Sequence, residues 1–267
     1  MSVRPRRVSR LVPGLLLVVQ AMFIHGAAQA LDVPYVPTPQ SVVDRMLEMA
    51  GANKDDRVVD LGSGDGRIVI SAVRDWNVQS ARGIDLDPER IREARANARA
   101  EGVEERAKFE YGDIFLKDFS EATVLTMYLL PGINLRLRPV ILERMAPGTR
   151  VVSHAFNMGD WEADGFDTIE TANIYLWIVP AQVEGRWQLS TADGGTVDLS
   201  LTQRYQRIDG TAYVEDQAVE LADARLRGTE IRFELDGKRY VGKVQGDSIV
   251  PLPDAKGESN WQAKRVR

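Results

Sequence analysis

The stretch VVDLGSGDGRIVI, from Val58 to Ile70, decides the fold of this chain. Apolar residues run up to Asp60, and the apolar spacing becomes helical from Ile68 onward. Between them, glycines fall at alternate positions: Gly62, Gly64 and Gly66. This order predicts a strand, a tight turn and a helix. Glycine lets the backbone turn sharply and lets a ligand approach the main chain, while the free N–H groups that open the helix face that ligand.

A second acidic strand end follows one βα unit later, in GIDLDPER from Gly83. The predicted strand Ala81 to Asp85 ends in a carboxylate, which in nucleotide-binding βαβ units accepts hydrogen bonds from ribose hydroxyls. Asp87-Pro88 then predicts the start of a helix, because Asp is a good N-cap and Pro suits the first helical position. The two segments together predict a nucleotide-type site.

The glycine spacing separates two kinds of ligand. A dinucleotide site shows G-x-G-x-x-G, whereas this chain has D-x-G-x-G-x-G from Asp60. That pattern resembles motif I of the class I S-adenosylmethionine (SAM) methyltransferases. YGDIF, Tyr111 to Phe115, is similar to the adenine-binding segment of the same family.

The resemblance implies roles for particular residues. The first acid and the loop would hold the methionine moiety, Asp85 the ribose, Asp113 the exocyclic amine, and Ile114 would lie beside the adenine ring. The implied SAM site comprises Asp60, Gly62, Ser63, Gly64, Gly66, Asp85, Leu86, Asp113 and Ile114. No metal is expected, since the chain has no cysteine and only two histidines.

The overall charge of −5 gives no electrostatic reason to expect a nucleic-acid substrate, because nucleic-acid binders carry a basic footprint. The first thirty residues are typical of an export signal. A basic start precedes an apolar stretch from Leu11 to Ile24, and Ala28-Gln29-Ala30 offers a cleavage site. The alternative is an uncleaved inner-membrane anchor, and either address places the protein at the cell envelope or in the periplasm.

We predict three segments along the chain. Residues 1–30 form the signal peptide or anchor, residues 31–181 an α/β domain with a Rossmann-like seven-stranded methyltransferase sheet, and residues 185–267 a small antiparallel β domain. Alternating apolar and polar residues in the last segment favour a barrel or a sandwich. Asp209-Gly210 and Asp236-Gly237 are the expected hairpin turns. This domain either recruits a substrate or covers a sheet edge as a packing or oligomerisation module.

The substrate side should lie at the carboxyl end of the fourth strand, in MYLLPGIN from Met127 to Asn134. Methyltransferases acting on nucleic-acid amines typically have Asp or Asn, two prolines and an aromatic residue there. With YVPTP at Tyr35 to Pro39, the segment resembles the protein-lysine methyltransferases that include the mitochondrial enzyme acting on the c-type ring protein of ATP synthase, and more closely their bacterial relatives. By match, Tyr35 and Thr38 would close over the methionine end of SAM, and Tyr128 and Pro131 would line the acceptor channel.

Alternatives accompany these interpretations. Tyr128 could pack on a helix, Asn134 could cap or open its helix, and His154 could be a hydrogen-bonded core residue. The leading hypothesis is a SAM-dependent N-methyltransferase acting on a protein lysine. The others are methylation of a small molecule or lipid headgroup at the envelope, and a non-catalytic SAM-binding assembly protein.

Overall fold

The computed structural model describes residue 1 and residues 35–214, 217–253 and 255–266. Apart from its first residue, the expected export segment at residues 1–30 lies outside this part of the chain. None of the helices within these ranges is both long and apolar enough to cross a membrane.

The first part of the described chain alternates helices and strands. Its elements are α1 (Gln40–Met49), β1 (Arg57–Leu61), α2 (Arg67–Arg74), β2 (Ser80–Asp85), α3 (Pro88–Ala100), β3 (Ala107–Tyr111), β4 (Val124–Met127), α4 (Pro131–Arg144), β5 (Arg150–His154), β6 (Gly165–Ile169) and β7 (Ala172–Ile178). The strands form one sheet in the order β3-β2-β1-β4-β5-β7-β6. The first five are parallel, and β7 runs antiparallel to both of its neighbours.

Helices cover both faces of this sheet. On one face the apolar sides of α1, α2 and α3 pack together, with Val43, Val69 and Ala94 among the buried residues. On the other face α4 buries Leu137 and Ile141 against the sheet. The expected α/β fold with a Rossmann-like seven-stranded sheet is confirmed, since repeated βα units place helices on the two faces of a parallel sheet.

Local signals at two helix starts differ in how well they predict the structure. Asp87 caps α3, and its Oδ1 accepts a hydrogen bond of 2.8 Å from the Glu89 N–H, as expected from Asp87-Pro88. Helix α4 begins at Pro131, two residues before the predicted start at Ile133, because proline at the first helical position costs no hydrogen bond.

The second part of the chain is all β. Its strands are β8 (Gly185–Ser190), β9 (Thr196–Arg204), β10 (Arg207–Val214), β11 (Gln217–Glu220), β12 (Ala222–Arg227), β13 (Glu230–Leu235), β14 (Lys238–Gln245), β15 (Ser248–Pro251) and β16 (Gln262–Arg265). Pairing runs β10-β12-β13-β14-β15-β16-β8-β9 and returns to β10, while β11 extends along β10. The domain is therefore a closed barrel rather than a sandwich.

Aromatic side chains fill the interior of the barrel. Trp187 is completely buried, and the rings of Phe233, Tyr240 and Trp261 lie within 6.0 Å of one another. Closure leaves no free edge within the ring itself.

One of the two predicted hairpin turns is wrong. Asp209 and Gly210 lie inside β10, where Gly210 makes room for the side chains of Leu201 and Leu221. The turn between β9 and β10 falls instead at Tyr205 and Gln206, with Tyr205 in the left-handed region at φ 57°. The predicted turn at Asp236-Gly237 is confirmed, and both residues have positive φ between β13 and β14.

Candidate active site

The glycine-rich turn between β1 and α2 is compact and touches neighbouring elements. The N–H groups of Gly62 and Ser63 both donate to the Ile84 carbonyl of β2, at 2.8 and 3.1 Å. Gly66 opens α2 with φ 84°, and a Cβ there would lie 2.6 Å from the Phe109 ring. A larger side chain at this position would therefore have to displace β3 or the start of α2.

Asp85 organises the turn from the end of β2. Its Oδ2 accepts a hydrogen bond from the Gly64 N–H, and its Oδ1 accepts one from the Asp87 N–H, both at 2.8 Å. A carboxylate offers about four acceptor positions, so lone pairs remain for the two hydroxyls of a ribose. Leu86, half-buried, follows directly.

Asp60 lies beneath the turn and is 2% exposed. The Thr126 hydroxyl donates to its Oδ1 at 2.7 Å. Burial, with smaller contributions from the charges of Asp85 and Asp65, raises the pKa of Asp60 to about 7. A buried carboxylate of this kind gains most from a nearby cation. The ammonium group of the SAM methionine moiety meets that need, so the residues present fit the cofactor.

Ser63 contributes in a different way from its neighbours. Its side chain packs on Gly83 of β2, where an added Cβ would lie 2.6 Å from the Ser63 Oγ. That oxygen is buried and finds no hydrogen-bond partner within the described chain. Ser63 therefore belongs to the turn as predicted, with its side chain against the sheet.

The proposed adenine segment lies beside the end of β2. The Gly112 N–H donates to the Asp85 carbonyl at 2.9 Å, and Asp113 Oδ1 accepts from the Phe115 N–H at 2.9 Å. Ile114 is half-buried and packs against the apolar cluster under α4. The structure thus brings together the three segments that the sequence assigned to SAM.

The segment before α1 packs over the glycine-rich turn. The Tyr35 ring occupies the space next to Gly64, and the guanidinium of Arg90 lies 4.7 Å from the ring centre on Tyr35. Arg67 joins the two parts, since its Nη1 donates to the Thr38 carbonyl at 2.8 Å while its other nitrogens bind Asp65. Tyr35 and Thr38 therefore lie where the family resemblance places them.

Aromatic rings line the ends of β4 and β5. The Tyr128 ring centre lies 3.8 Å from that of His154 and 6.4 Å from that of Phe156. His154 Nδ1 is 3.2 Å from the Thr38 hydroxyl. Burial lowers the pKa of His154, so the ring is neutral at pH 7. Pro131 is exposed in the first turn of α4, at the edge of this group.

Sequence reasoning missed the role of Asn134. The residue is completely buried and does not cap α4, whose N-cap is Leu130. Its Nδ2 donates to the Ser153 Oγ and to the Phe156 carbonyl, both at 3.1 Å. Its Oδ1 has no partner among the residues that the structure describes. The available signal was a polar residue on the apolar face of α4, between Ile133 and Leu137.

Comparison with known proteins supports the same assignment. Residues 60–165 match the family model of the ANTKMT methyltransferase domain. A protein-lysine N-methyltransferase of Saccharolobus islandicus is 48% identical over 151 residues, which are 55% of this chain and 94% of that protein. The human lysine N-methyltransferase of the ATP synthase c protein is 30% identical, over 60% of this chain and 70% of its own length.

Among solved structures, an RNA methyltransferase from Salinibacter ruber in complex with S-adenosylhomocysteine is 49% identical. The match covers 55% of this chain and 96% of that one, with a TM-score of 0.54. Its bound product of SAM agrees with the turn, the two carboxylates and the adenine segment found here. The chain is a SAM-dependent methyltransferase, and it belongs to the protein-lysine N-methyltransferase family of these relatives.

Proposed function

We propose that this enzyme methylates the side-chain amine of a lysine in a protein. The observation that carries the proposal is the acceptor side of the site, where Tyr128, His154 and the β5–β6 connection surround the ends of β4 and β5 with aromatic groups. The relative from Saccharolobus islandicus, which matches over nearly its whole length, supports the same substrate class.

The chemistry of lysine methylation agrees with these surroundings. A lysine ammonium has no lone pair, so the amine must be bound in its uncharged form. Bound SAM supplies an electrophilic methyl group. The amine lone pair forms the new N–C bond as the C–S bond breaks, and the ammonium product then loses a proton to water.

The chain's own residues orient the amine and exclude water. Partial burial favours the neutral amine. Leu129 and Leu130 are apolar, Pro131 has no N–H to donate, and the Tyr128 hydroxyl can accept a hydrogen bond. His154 adds no positive charge beside the amine, because burial keeps its ring neutral.

RNA is the second candidate substrate, because the Salinibacter ruber protein is described as an RNA methyltransferase. Two features of this chain favour protein over RNA. The fourth strand ends in Tyr-Leu-Leu-Pro rather than in the acidic or amide residue and two prolines typical of amine methylation on nucleic acids. The chain also carries a net charge of −5, without the basic excess of most RNA-binding proteins.

A labelling experiment separates the candidates. The purified enzyme receives SAM with a labelled methyl group, together with the protein, RNA or lipid fraction of the host, each in its own reaction. We expect label in protein, located on lysine by mass spectrometry and missing from proteins incubated with the Asp85→Ala variant. Label confined to RNA would establish the second candidate, and label confined to lipid or small molecules would replace both.

We also propose that the enzyme acts at the cell envelope after export. The basic start, the apolar stretch and Ala28-Gln29-Ala30 support this address. Amino-terminal sequencing of the native protein should begin at Leu31. An intact amino terminus in the membrane fraction would indicate an anchor, and an intact one in the soluble cytoplasmic fraction would contradict export.

A further inference from the structure

The connection between β5 and β6, residues 155–164, has no helix and is called here the β5–β6 loop. It begins directly after His154 and carries Phe156, whose ring lies beside Tyr128. Its conformation therefore determines one wall of the acceptor site. Because a loop without helix or strand has few hydrogen bonds of its own, its neighbours must fix it.

Helix α4 holds the first half of this loop. Asn134 donates to the Phe156 carbonyl, and Arg138 Nη1 donates to the Met158 carbonyl at 2.8 Å. Arg138 also forms an ion pair with Asp160. The Leu135 side chain lies against Gly159.

The barrel holds the second half through the turn between β9 and β10. Gln206 is 1% exposed, and its Nε2 donates to the Glu162 carbonyl at 2.7 Å. Its own carbonyl accepts from the Leu226 N–H at 2.8 Å, which ties the turn to β12. The Tyr205 ring stacks on the buried Trp161, with 6.0 Å between ring centres.

Charged groups surround these contacts. Asp160 accepts from Arg204 at 2.6 Å and from the Tyr205 hydroxyl at 3.1 Å, and Glu162 pairs with Arg207 at 2.9 Å. Exposed ion pairs of this kind contribute little to stability. The buried amide of Gln206 and the stacked rings therefore hold the loop, and the charges orient the turn.

We propose that Tyr205 and Gln206 are positioning residues for the methyl acceptor, acting through the β5–β6 loop. The barrel then takes part in methyl transfer by fixing Phe156 beside Tyr128. This inference rests on the proposed function only for the identity of the acceptor. The three segments assigned to SAM follow β1, β2 and β3, and no contact described here joins them to the turn of Tyr205 and Gln206.

Two variants of the full chain test the proposal. Tyr205→Asn removes the stacked ring and keeps a residue that tolerates positive φ. Gln206→Met keeps the side-chain volume and removes the donor to Glu162. The matched control is Asp236→Asn in the turn between β13 and β14, where Asp236 also has positive φ, at 49°. Each variant is examined by hydrogen exchange, by calorimetry with S-adenosylhomocysteine and by methyl transfer to the host protein fraction.

We expect faster amide exchange in residues 155–164 of Tyr205→Asn and Gln206→Met, with unchanged affinity for S-adenosylhomocysteine. Methyl transfer should fall by about a hundredfold, the scale on which a misplaced group slows a positioned reaction. Asp236→Asn should match the unaltered enzyme in all three measurements.

Unchanged exchange in the loop, or loss of cofactor affinity in parallel with transfer, would overturn the proposal. So would normal methyl transfer in a variant whose loop exchanges faster. If the unaltered enzyme labels RNA rather than protein, the lysine assignment fails, and the exchange data together with transfer to RNA still decide whether the turn positions the acceptor wall.

Discussion

The two sides of the active site are built in different ways. On the cofactor side, backbone N–H groups and carboxylates already meet, as Gly64 and Asp87 do with Asp85, and Phe115 does with Asp113. On the acceptor side, rings face one another, and the described chain gives the Tyr128 hydroxyl no hydrogen-bond partner. A ligand of constant structure suits the first side, whereas the second distinguishes acceptors by shape and polarity.

This difference predicts that substitutions should separate binding of the cofactor from transfer of its methyl group. Contacts made before any ligand arrives belong to the cofactor side, so their loss should weaken SAM binding. Contacts made only with the acceptor belong to the other side, so their loss should slow transfer.

The largest effect is expected from Asp85→Ala. This change removes the acceptor of the Gly64 and Asp87 N–H groups as well as the ribose contacts. A hydrogen bond to a charged group is worth about 1.5–3 kcal/mol, so calorimetry should show affinity for SAM reduced by about a hundredfold or more. Asp85→Asn retains one acceptor oxygen and should lose less. Unchanged affinity in folded Asp85→Ala protein would exclude Asp85 from the site.

Tyr128→Ala should slow methyl transfer by about a hundredfold through misplacement of the amine and leave affinity for S-adenosylhomocysteine unchanged. Transfer by the unaltered enzyme should rise with pH as the lysine amine loses its proton. Tyr128→Phe separates the ring from the hydroxyl. Equal losses of cofactor binding and transfer would place Tyr128 on the cofactor side instead.

The affinity for SAM should depend on pH through Asp60. Its pKa is raised to about 7 in the unliganded protein, and a cationic ligand binds better to the carboxylate than to the acid. Below pH 7 the affinity should therefore fall, by up to about tenfold per pH unit. Asp60→Asn keeps an acceptor for Thr126 and should abolish this dependence. A pH-independent affinity in the unaltered enzyme would show that Asp60 does not meet the cation.

The same pKa shift sets a trend in stability. Because the folded state binds this proton more tightly than the unfolded chain, the contribution of Asp60 to the free energy of unfolding decreases as pH rises from about 4 to about 7. Thermal unfolding across that range, with Asp60→Asn as the control, measures the contribution.

The smallest effect is expected from Thr38→Val, at the contact that joins the two sides. The change leaves His154 Nδ1 without the Thr38 hydroxyl, and the free energy of unfolding should fall by about 1 kcal/mol. Thr38→Ser keeps the hydroxyl and should unfold nearly as the unaltered protein does. A change in SAM affinity for Thr38→Val alone would show that the hydroxyl, through His154, also influences the turn.

The sequence predicts the cofactor side well because its determinants are local. Asp60, the alternate glycines and Asp85 lie within one βα unit and the next strand, so their spacing specifies their geometry. The acceptor side depends on contacts between distant segments. Asn134 binds the backbone of Phe156 across the sheet, and no spacing within α4 predicts that contact.

The turn of the β9–β10 hairpin was mispredicted for a related reason. Asp-Gly is a strong turn signal, yet Gly210 serves close packing inside a strand. Tyr205 adopts positive φ without being Gly, Asn or Asp, and its ring stacks on Trp161 of another domain. Tertiary contacts outweighed local propensity at both positions.

Closure of the barrel has a kinetic consequence. Strand β8 pairs with β9, which follows it, but its other edge pairs with β16, the last strand described. Pairing of strands so distant in sequence is slow, because the intervening chain must first lose its conformational freedom. The βα units of the first sheet pair mostly between near neighbours. We therefore expect refolding in two phases, with the SAM-binding half formed while the barrel is still open between β8 and β16.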